Sequence, residues 1–507
     1  MRTLNSAKNL ASSLGITLIM IILGFITRKV FVDNVGIEYL GLNGLLQNIL
    51  GVMALLEGGF ATSVVYNLYK PIAENNQPKI IALLQLYKKV YRYIAIGICC
   101  CALIIYPFLD LFIKDADSLS YVSVVYFIFL FNSIIQYFTA YKWSIINANQ
   151  KLYKLTTVNL IYQVGLNITK LGILYYTQNY ILYLVIESLF GIGLNIAIVR
   201  TANRLFPFIV TKQKYEVDFP TKKNIITNMK ALFLHSVGGY FMHSTDNIII
   251  SSFVGVGIVG IYSNYTLLLG TIGSAVGQIL NSFSESVGHL IATETSNKIY
   301  EVFKTIFFVN FLVISIPVII VHNTITPFIQ WWLGNEYVLG YATMCVILIN
   351  FYINNMRNSA LTFKTKSGIF VKDRYTPLMQ GIINLILSLI FVQYWGLTGV
   401  LAATAISILS IGFWQFPRLI YKYAFHKPLW NYFRMYIFYT LIGFCTLYIS
   451  YYLCQYNSVQ NLLLHTILNG LISVGCILLF YYTSFYRISA YKELKTHIRS
   501  VWKNIYK

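Results

Sequence analysis

Long apolar stretches, separated by short polar segments, run along the whole 507-residue chain. A helix needs about 20 apolar residues to cross the hydrocarbon core of a bilayer, and fourteen such windows can be placed. They lie at roughly 10–32, 38–68, 92–113, 119–141, 154–176, 180–199, 231–254, 258–283, 305–328, 337–356, 375–395, 398–417, 435–455 and 461–485. A membrane β-barrel would show short segments of alternating hydrophobicity instead. The pattern therefore predicts an all-α polytopic membrane protein with fourteen transmembrane helices.

The composition excludes a water-soluble globular protein. Hydrophobic residues make up 57% of the chain and charged residues only 11%, whereas soluble domains average about 25% charged residues. The seven cysteines lie in apolar stretches without a CxxC spacing, so neither a disulfide framework nor a zinc site is expected. No cofactor is predicted beyond a coupling ion, H⁺ or Na⁺.

The positions of the basic residues predict the orientation of the helices. With a cytoplasmic N-terminus and fourteen spans, 34 of the 38 Lys and Arg residues fall in cytoplasmic segments. Only Lys114 lies in an outside loop, and Arg28, Lys29 and Lys170 lie within helices. This is the bias of the positive-inside rule, so both termini are predicted to be cytoplasmic. The formal net charge of +21 therefore indicates anionic lipid headgroups, and not nucleic acid, as the partner of the basic surface.

Two weak internal matches indicate a duplication of six helices. Gly36 and Gly41 recur as Gly255 and Gly260, at an offset of 219 residues. Gln163 and Asn167 resemble Gln380 and Asn384, at an offset of 217. An even number of helices gives the two copies the same orientation, with a cleft between them, as in parallel-repeat transporters.

The predicted organisation follows from this duplication and has five parts. They are an N-terminal six-helix lobe (1–202), a basic cytoplasmic linker (203–230), a C-terminal six-helix lobe (231–424), helices 13 and 14 (425–485), and a basic interfacial tail (486–507).

A few ionisable residues within the helices are the candidate functional residues, because a charge facing lipid is costly and each must face protein or water. They are Arg28, Lys29, Glu57, Lys170, Glu187, His243 and Asp246. The 219-residue offset places Asp246 and Asn247 at the positions of Thr27 and Arg28, so Arg28 and Asp246 are expected to face each other across the cleft.

Each of these residues also has a structural interpretation. Lys29 and Arg28 can snorkel to the headgroups, and Glu187 can simply neutralise Lys170. Glu57, which precedes Gly58 and Gly59, is also consistent with a bent helix. The pair of Asp246 and His243 suits ion coupling but also a structural hydrogen-bond cluster.

Several stretches resemble one family. They are "VGIEYLGLNGLLQNILGVMALLEGGFATSVVYNLYKPIAENN" (35–76), "LLQLYKKVYR" (83–92), "STDNIIISSFVGVGIVGIYSNY" (244–265), "SFSESVGHLIATE" (282–294) and "GIFVKDRYTPLMQGIINLILSLIFVQYWGLTGVLAATAIS" (368–407). In order and spacing they are similar to the Wzx-type oligosaccharide flippases of the polysaccharide transporter group, in the MATE/MurJ-like MOP superfamily.

The resemblance implies a flippase of the bacterial cytoplasmic membrane. Its cargo would be an undecaprenyl-pyrophosphate-linked oligosaccharide repeat unit for O-antigen, capsule or exopolysaccharide, moved to the outer leaflet by alternating access through a cationic cavity. Arg28, Lys29 and Lys170 would bind the pyrophosphate. Asp246, His243, Glu57 and Glu187 would serve ion coupling or gating, and the polymerase machinery is a possible partner.

Other functions remain open at this stage. The nearest are other transporters of the superfamily, namely a lipid II or teichoic-acid precursor flippase or a multidrug exporter. A membrane glycosyltransferase needs catalytic carboxylates or a sizeable loop over the headgroups, and the longest polar loop (200–230) is short and basic. The chain is therefore not expected to be an enzyme.

Overall fold

A computed structural model describes residues 20–57, 60–114, 119–149, 151–227, 233, 237, 240, 244–369, 371–373 and 375–496. Helices dominate this part of the chain, and no strand occurs among these residues. The predicted all-helical class is confirmed for them.

The helices of the first half are α1 (20–35), α2 (Ile37–Met53), α3 (Phe60–Ala73), α4 (Gln77–Ile105), α5 (Val122–Ile135), α6 (Ala140–Ala148), α7 (Thr156–Thr177), α8 (Tyr180–Leu205), α9 (219–227) and α10 (Thr245–Phe253). Those that follow are α11 (Val256–Thr293), α12 (Ser296–Trp332), α13 (Tyr341–Met356), α14 (Asn358–Lys366), α15 (Thr376–Ser407), α16 (Phe413–Ile420), α17 (Trp430–Cys454), α18 (Leu462–Phe485) and α19 (489–496).

Seven helical segments in the described part are long and apolar enough to cross a membrane. An eighth is formed if the bent pair Val122–Phe138 and Ala140–Ala148 is one span. These segments confirm a multi-pass architecture. The number of fourteen spans and the cytoplasmic position of both termini stay predictions.

Glycines occur at two places where a long apolar stretch of the sequence does not form one continuous helix. Gly396 has φ +53° and ψ −130° in the middle of α15. The chain turns so sharply there that a Cβ on Gly399 would overlap the carbonyl oxygen of Phe391. This is the boundary predicted between 375–395 and 398–417. The predicted helix at 38–68 is instead discontinuous: α2 ends at Met53 and a 3₁₀ turn follows over Ala54–Glu57, just before two glycines of low helix propensity.

The chain divides into two compact units, Met1–Ser263 and Asn264–Lys507. We refer to them as unit 1 and unit 2. The boundary lies inside α11, so α10 and the first two turns of α11 pack with unit 1. The division into two six-helix lobes with a linker at 203–230 stays a prediction.

Unit 1 contains a close helix crossing built from the repeated glycines. Gly36 and Gly255 have φ of +106° and +141° and directly precede α2 and α11. A Cβ on Gly41 would overlap the carbonyl oxygen of Val256, and one on Gly260 would overlap that of Ile37. The contact is reciprocal at the 219-residue offset, and the duplication itself stays a prediction. Small residues permit such an approach in membranes.

The polar segment between α8 and α9 (206–218) forms hydrogen bonds and an ion pair with α4 of unit 1. The Gln85 side chain donates to the carbonyl of Gln213 at 2.7 Å and accepts from the amide of Tyr215 at 3.1 Å. Lys79 pairs with Asp218 at 3.2 Å. Hydrogen bonds from Thr221 and the Lys79 charge lower the pKa of the Asp218 carboxyl to about 2, so Asp218 is ionised at the start of α9.

Unit 2 fastens its last two helices to α12 through a buried side-chain network. The Asn323 amide donates to the hydroxyls of Ser450 on α17 and Ser473 on α18, each at 2.9 Å. Asn469 donates back to the Asn323 carbonyl at 3.1 Å. Buried polar groups need hydrogen-bond partners. In this network, α12, α17 and α18 provide the partners for one another's polar side chains.

The C-terminal tail begins as α19 and packs on α12. Thr305 donates to Glu493 at 2.5 Å, and Ala490 is buried. The interfacial position of the predicted tail (486–507) stays a prediction, and its residues 497–507 lie outside the described part of the chain.

Candidate functional site

Arg28 faces protein. It lies on α1 and donates through Nη2 to the hydroxyl of Ser263 on α11, which in turn donates to the carbonyl of Gly260 at 2.6 Å. Arg28 also interacts electrostatically with Tyr183 of α8. Its hydrogen bond therefore joins α1 to α11 within unit 1.

Lys29 is oriented differently from its neighbour. Its ammonium pairs with Asp33, one turn further along α1, at 3.1 Å. The two side chains are 45% and 46% exposed. This exposed pair matches the alternative in which Lys29 reaches the headgroup region.

Lys170 and Glu187 form an ion pair between α7 and α8. The Lys170 ammonium lies 2.6 Å from a Glu187 carboxylate oxygen and 4.2 Å from the centre of the Tyr183 ring. The Lys170 side chain is 10% exposed and that of Glu187 is 41% exposed. The buried cation is thus neutralised by a carboxylate that faces open space.

Tyr183 links the two sets of charges. Its ring contacts Lys170 and its hydroxyl interacts with both Arg28 and Lys170. Sequence reasoning did not single out Tyr183. The spacing along α8 could have identified it. Tyr183 lies four residues before Glu187, on the face of the helix that also carries Gly191 and Asn195.

Asp246 is buried in the first turn of α10 and interacts with Tyr262 of α11. Asp246 therefore interacts with Tyr262 and Arg28 with Ser263, which are consecutive residues of α11. A direct bridge between them stays a prediction. His243, the predicted partner of Asp246, lies outside the described residues.

Glu57 lies at the break between α2 and α3, against aromatic side chains. It shares a hydrogen bond with Tyr137 and interacts electrostatically with Tyr91. Tyr137 belongs to the 3₁₀ turn at the bend between α5 and α6. The break between α2 and α3 therefore lies against the bend between α5 and α6.

A cavity of about 510 Å³ in unit 1 brings Glu57 and Glu187 to one space. The bend between α5 and α6 contributes much of its wall, through Asn132, Gln136 and Trp143. The hydroxyl of Thr139 donates to the side chain of Asn195 across the wall. The sequence predicted both carboxylates but not the cavity, whose other residues come from helices far apart in the chain.

Unit 2 has a second cavity of about 420 Å³ and a different character. Apolar side chains of α12, α13 and α17 form most of its wall, together with His322, Tyr341 and Tyr352. The His322 imidazole is held by Asn323 at 2.9 Å and Tyr341 at 3.3 Å.

A buried ion pair that the sequence did not single out joins α14 to the turn Val371–Asp373. Lys364 and Asp373 contact each other with side chains 5% and 7% exposed. The Lys364 ammonium also lies 4.5 Å from the centre of the Phe416 ring. Because the two charges are buried and neutralise each other, we assign the pair a structural role.

Comparisons with known proteins identify the fold. No family model matches the chain, and no curated protein matches it. A solved structure titled "Lipid II flippase MurJ, inward closed conformation" is similar, with a TM-score of 0.68 and 16% identity over 93% of this chain and 98% of that one.

Two multidrug transporters are also similar. An inward-facing MATE family transporter of the MOP superfamily has a TM-score of 0.62 and 14% identity over 79% of this chain and 94% of its own. The MATE multidrug transporter DinF-BH has a TM-score of 0.56 and 17% identity over 82% and 94%. The chain therefore has the MurJ and MATE fold.

Proposed function

We propose that this protein is a flippase that moves undecaprenyl-pyrophosphate-linked oligosaccharide repeat units from the inner to the outer leaflet of a bacterial cytoplasmic membrane. Such units serve O-antigen, capsule or exopolysaccharide synthesis. The partners would be the lipid-linked oligosaccharide, membrane lipids and the polymerase machinery. No enzymatic step is proposed.

The extent of the fold match is the observation that carries the proposal. A lipid II flippase covers 93% of this chain, whereas the two MATE transporters cover 79% and 82%. The chain therefore shares more of its length with a carrier of a lipid-linked saccharide than with carriers of drugs. The Wzx-like stretches of the sequence favour an oligosaccharide repeat unit as the cargo.

The cations of unit 1 support binding of a pyrophosphate. Arginine keeps its charge when partly dehydrated and offers forked donors that match phosphate oxygens. Arg28 donates to the hydroxyl of Ser263, and the same forked donors would serve a phosphate. Lys170 already has Glu187 as its counterion, and we assign it a supporting role beside Tyr183. Lys29 is assigned to the headgroups.

Coupling and gating are assigned to the carboxylates. Asp246 is buried beside the helix that also holds Arg28. A bridge between Asp246 and Arg28 would close one mouth of the cleft and break when the anion binds. Glu57, at the break before α3, is the second candidate for H⁺ or Na⁺ coupling.

A multidrug exporter is the second candidate, and one observation favours it. The cavity of unit 1 is lined by Glu57 and Glu187 and, among the described residues, by no Lys or Arg. Such a wall suits organic cations. The two functions differ in whether an anionic lipid or a soluble cation is transported.

A flipping assay in proteoliposomes tests the proposal. The full-length protein is reconstituted with a fluorescent undecaprenyl-pyrophosphate oligosaccharide, and the fraction reached by a membrane-impermeant quencher is followed over time. Arg28→Ala should slow flipping at least tenfold, because a hydrogen bond to a charged group is worth about 1.5–3 kcal/mol. Lys29→Ala, the adjacent cation, is the matched control and should stay within about fivefold, since an exposed pair contributes about 0–1 kcal/mol.

Transport of a rhodamine dye, an organic cation, is measured in the same vesicles. Flipping that depends on Arg28 and Asp246, without rhodamine transport, supports the flippase. Unchanged flipping in both Arg28→Ala and Asp246→Ala removes the site assignment. Rhodamine transport without flipping makes the protein an exporter.

A further inference from the structure

We propose that Arg357 and Gln380 of unit 2 bind a chloride ion. The guanidinium of Arg357, at the end of α13, and the side-chain amide of Gln380, on α15, would both donate to it. The inference goes beyond the proposed function and does not depend on it, because the pyrophosphate of the cargo is assigned to Arg28 of unit 1.

Arg357 is a cation without a carboxylate partner among the described residues. The ion pairs of unit 2 in that part of the chain involve other residues. Arg357 donates through Nη1 to the side-chain oxygen of Gln380 at 3.4 Å, and its Cζ lies 5.7 Å from the centre of the Phe416 ring. A guanidinium has five N–H donors, so most of those of Arg357 remain available to a ligand.

The surroundings of Arg357 leave its charge unbalanced. Burial lowers the pKa of Arg357 to about 10, so the guanidinium stays protonated at neutral pH although it is poorly hydrated. The Lys364 ammonium lies 4.5 Å from the centre of the same Phe416 ring, but Asp373 neutralises it. The carbonyl end of α13 contributes only about half a negative charge. The group therefore retains a net positive charge, which an anion would balance.

The side-chain amide of Gln380 provides a second donor that lacks an acceptor. Gln380 is 1% exposed, and its amide nitrogen has no hydrogen-bond partner. Turning the amide round would not help, because its oxygen accepts from Arg357 and a guanidinium has no acceptor to offer the nitrogen. Buried donors are nearly always paired in folded proteins. An unpaired donor beside an unbalanced cation indicates a ligand that accepts hydrogen bonds and carries negative charge.

Gly412 allows the two donor side chains to meet. It ends a π-helical turn over Ile408–Gly412, between α15 and α16. A Cβ on Gly412 would lie 2.6 Å from Oε1 of Gln380 and 2.8 Å from Nη1 of Arg357, so any larger residue would displace one of these side chains. Such π-helical turns interrupt regular helices and are frequent at functional sites. The backbone of the α15–α16 junction therefore leaves room for the pair of Arg357 and Gln380.

The close packing of this place favours a monatomic anion. Gln380 and Gly412 are both buried, and a phosphate would bring four oxygens that need several further donors. A chloride ion accepts hydrogen bonds from any direction, so the guanidinium and the amide can donate to it together, and charge assistance strengthens such bonds. Arg357 is partly exposed and belongs to a segment predicted to be cytoplasmic, so an ion in solution can reach it.

Thermal unfolding of the full-length protein in lipid nanodiscs tests the assignment without a transport step. At constant sodium concentration, gluconate, which is too large for the site, is replaced stepwise by chloride. We expect the unfolding midpoint to rise by about 2 °C or more and then to saturate, because a ligand that binds only the folded state stabilises it. Arg357→Gln should abolish the saturable rise, and Arg418→Gln, which removes an exposed cation of the same unit, should preserve it.

Crystals of the unchanged protein grown in bromide give a second measurement, which stands even if Arg357→Gln does not fold. An anomalous peak within hydrogen-bonding distance of Arg357 and of the Gln380 amide nitrogen supports the site. The absence of a peak there overturns it, as does an equal chloride-dependent rise in Arg357→Gln. A rise produced by phosphate and not by chloride overturns the choice of a halide.

Discussion

The ion pair of Lys170 and Glu187 predicts an unequal response to the loss of either partner. Lys170 is 10% exposed and Glu187 is 41% exposed. Glu187→Gln leaves a buried ammonium without its counterion, whereas Lys170→Met leaves a carboxylate that already faces the cavity. The removal of the acidic partner should therefore be the more damaging change.

The structure sets the magnitude of this asymmetry. Removing one partner of a buried pair costs about 3–5 kcal/mol. The contact of Lys170 with the Tyr183 ring at 4.2 Å recovers about 1 kcal/mol, and solvent in the cavity screens the Glu187 side of the pair. We expect Glu187→Gln to cost about 2–3 kcal/mol and Lys170→Met to cost about 1 kcal/mol or less.

A double-mutant cycle measures both values. Unfolding of the purified protein is followed by tryptophan fluorescence in a denaturant titration, for the parent, the two single variants and the double variant. The double variant should be more stable than Glu187→Gln alone, because it removes the stranded cation. A cost of Lys170→Met equal to or larger than that of Glu187→Gln would refute the reasoning.

Three further predictions concern other parts of the chain. Asp373→Asn should destabilise unit 2 by about 3–5 kcal/mol, measured by thermal unfolding, because Lys364 is 5% exposed; the exposed Asp33→Asn should change it little. Gly41→Ala should cost about 1–3 kcal/mol through overpacking, with Gly24→Ala, which meets no neighbour, as its control. Asp218→Asn should raise hydrogen exchange of the segment after α8 at neutral pH.

The pH dependence at Asp218 has a defined sign. Its pKa is lowered to about 2 in the folded protein, against an ordinary value of about 3.9. The stabilisation is fully present above pH 4 and is lost as the pH falls from about 4 towards 2. The protection factor of this segment, which is its exchange rate normalised to the intrinsic rate at each pH, should therefore fall over that interval in the parent and stay flat in Asp218→Asn; equal profiles would contradict the prediction.

The sequence predicted much of the architecture because bilayer thickness and charge bias act locally along the chain. The reversal at Gly396 falls between the predicted windows 375–395 and 398–417, and Gly36 and Gly255, which precede α2 and α11, were visible as an internal match. The charged candidates were visible because any ionisable residue in an apolar stretch is conspicuous.

The partners of those residues were predictable only in part. The pair of Lys170 and Glu187 was among the alternatives offered by the sequence, and the bridge between Arg28 and Asp246 stays a prediction, but the contact of Arg28 with Ser263, 235 residues away, had no signal in the sequence. The cavity depends on a break after Met53 that faces a bend near Thr139. The predicted helix at 38–68 runs straight through the break, and the one at 119–141 ends at the bend, so the space between them has no signature in the sequence.

The network around Asn323 has a consequence for how the protein is made. This amide emerges from the ribosome 127 residues before Ser450 and 150 residues before Ser473. Until α17 and α18 are inserted, α12 carries an amide into the bilayer that has not yet received its hydroxyl partners. Chains truncated before Trp430 would lack both hydroxyl partners, and the last two helices therefore complete the polar contacts of a helix synthesised long before them.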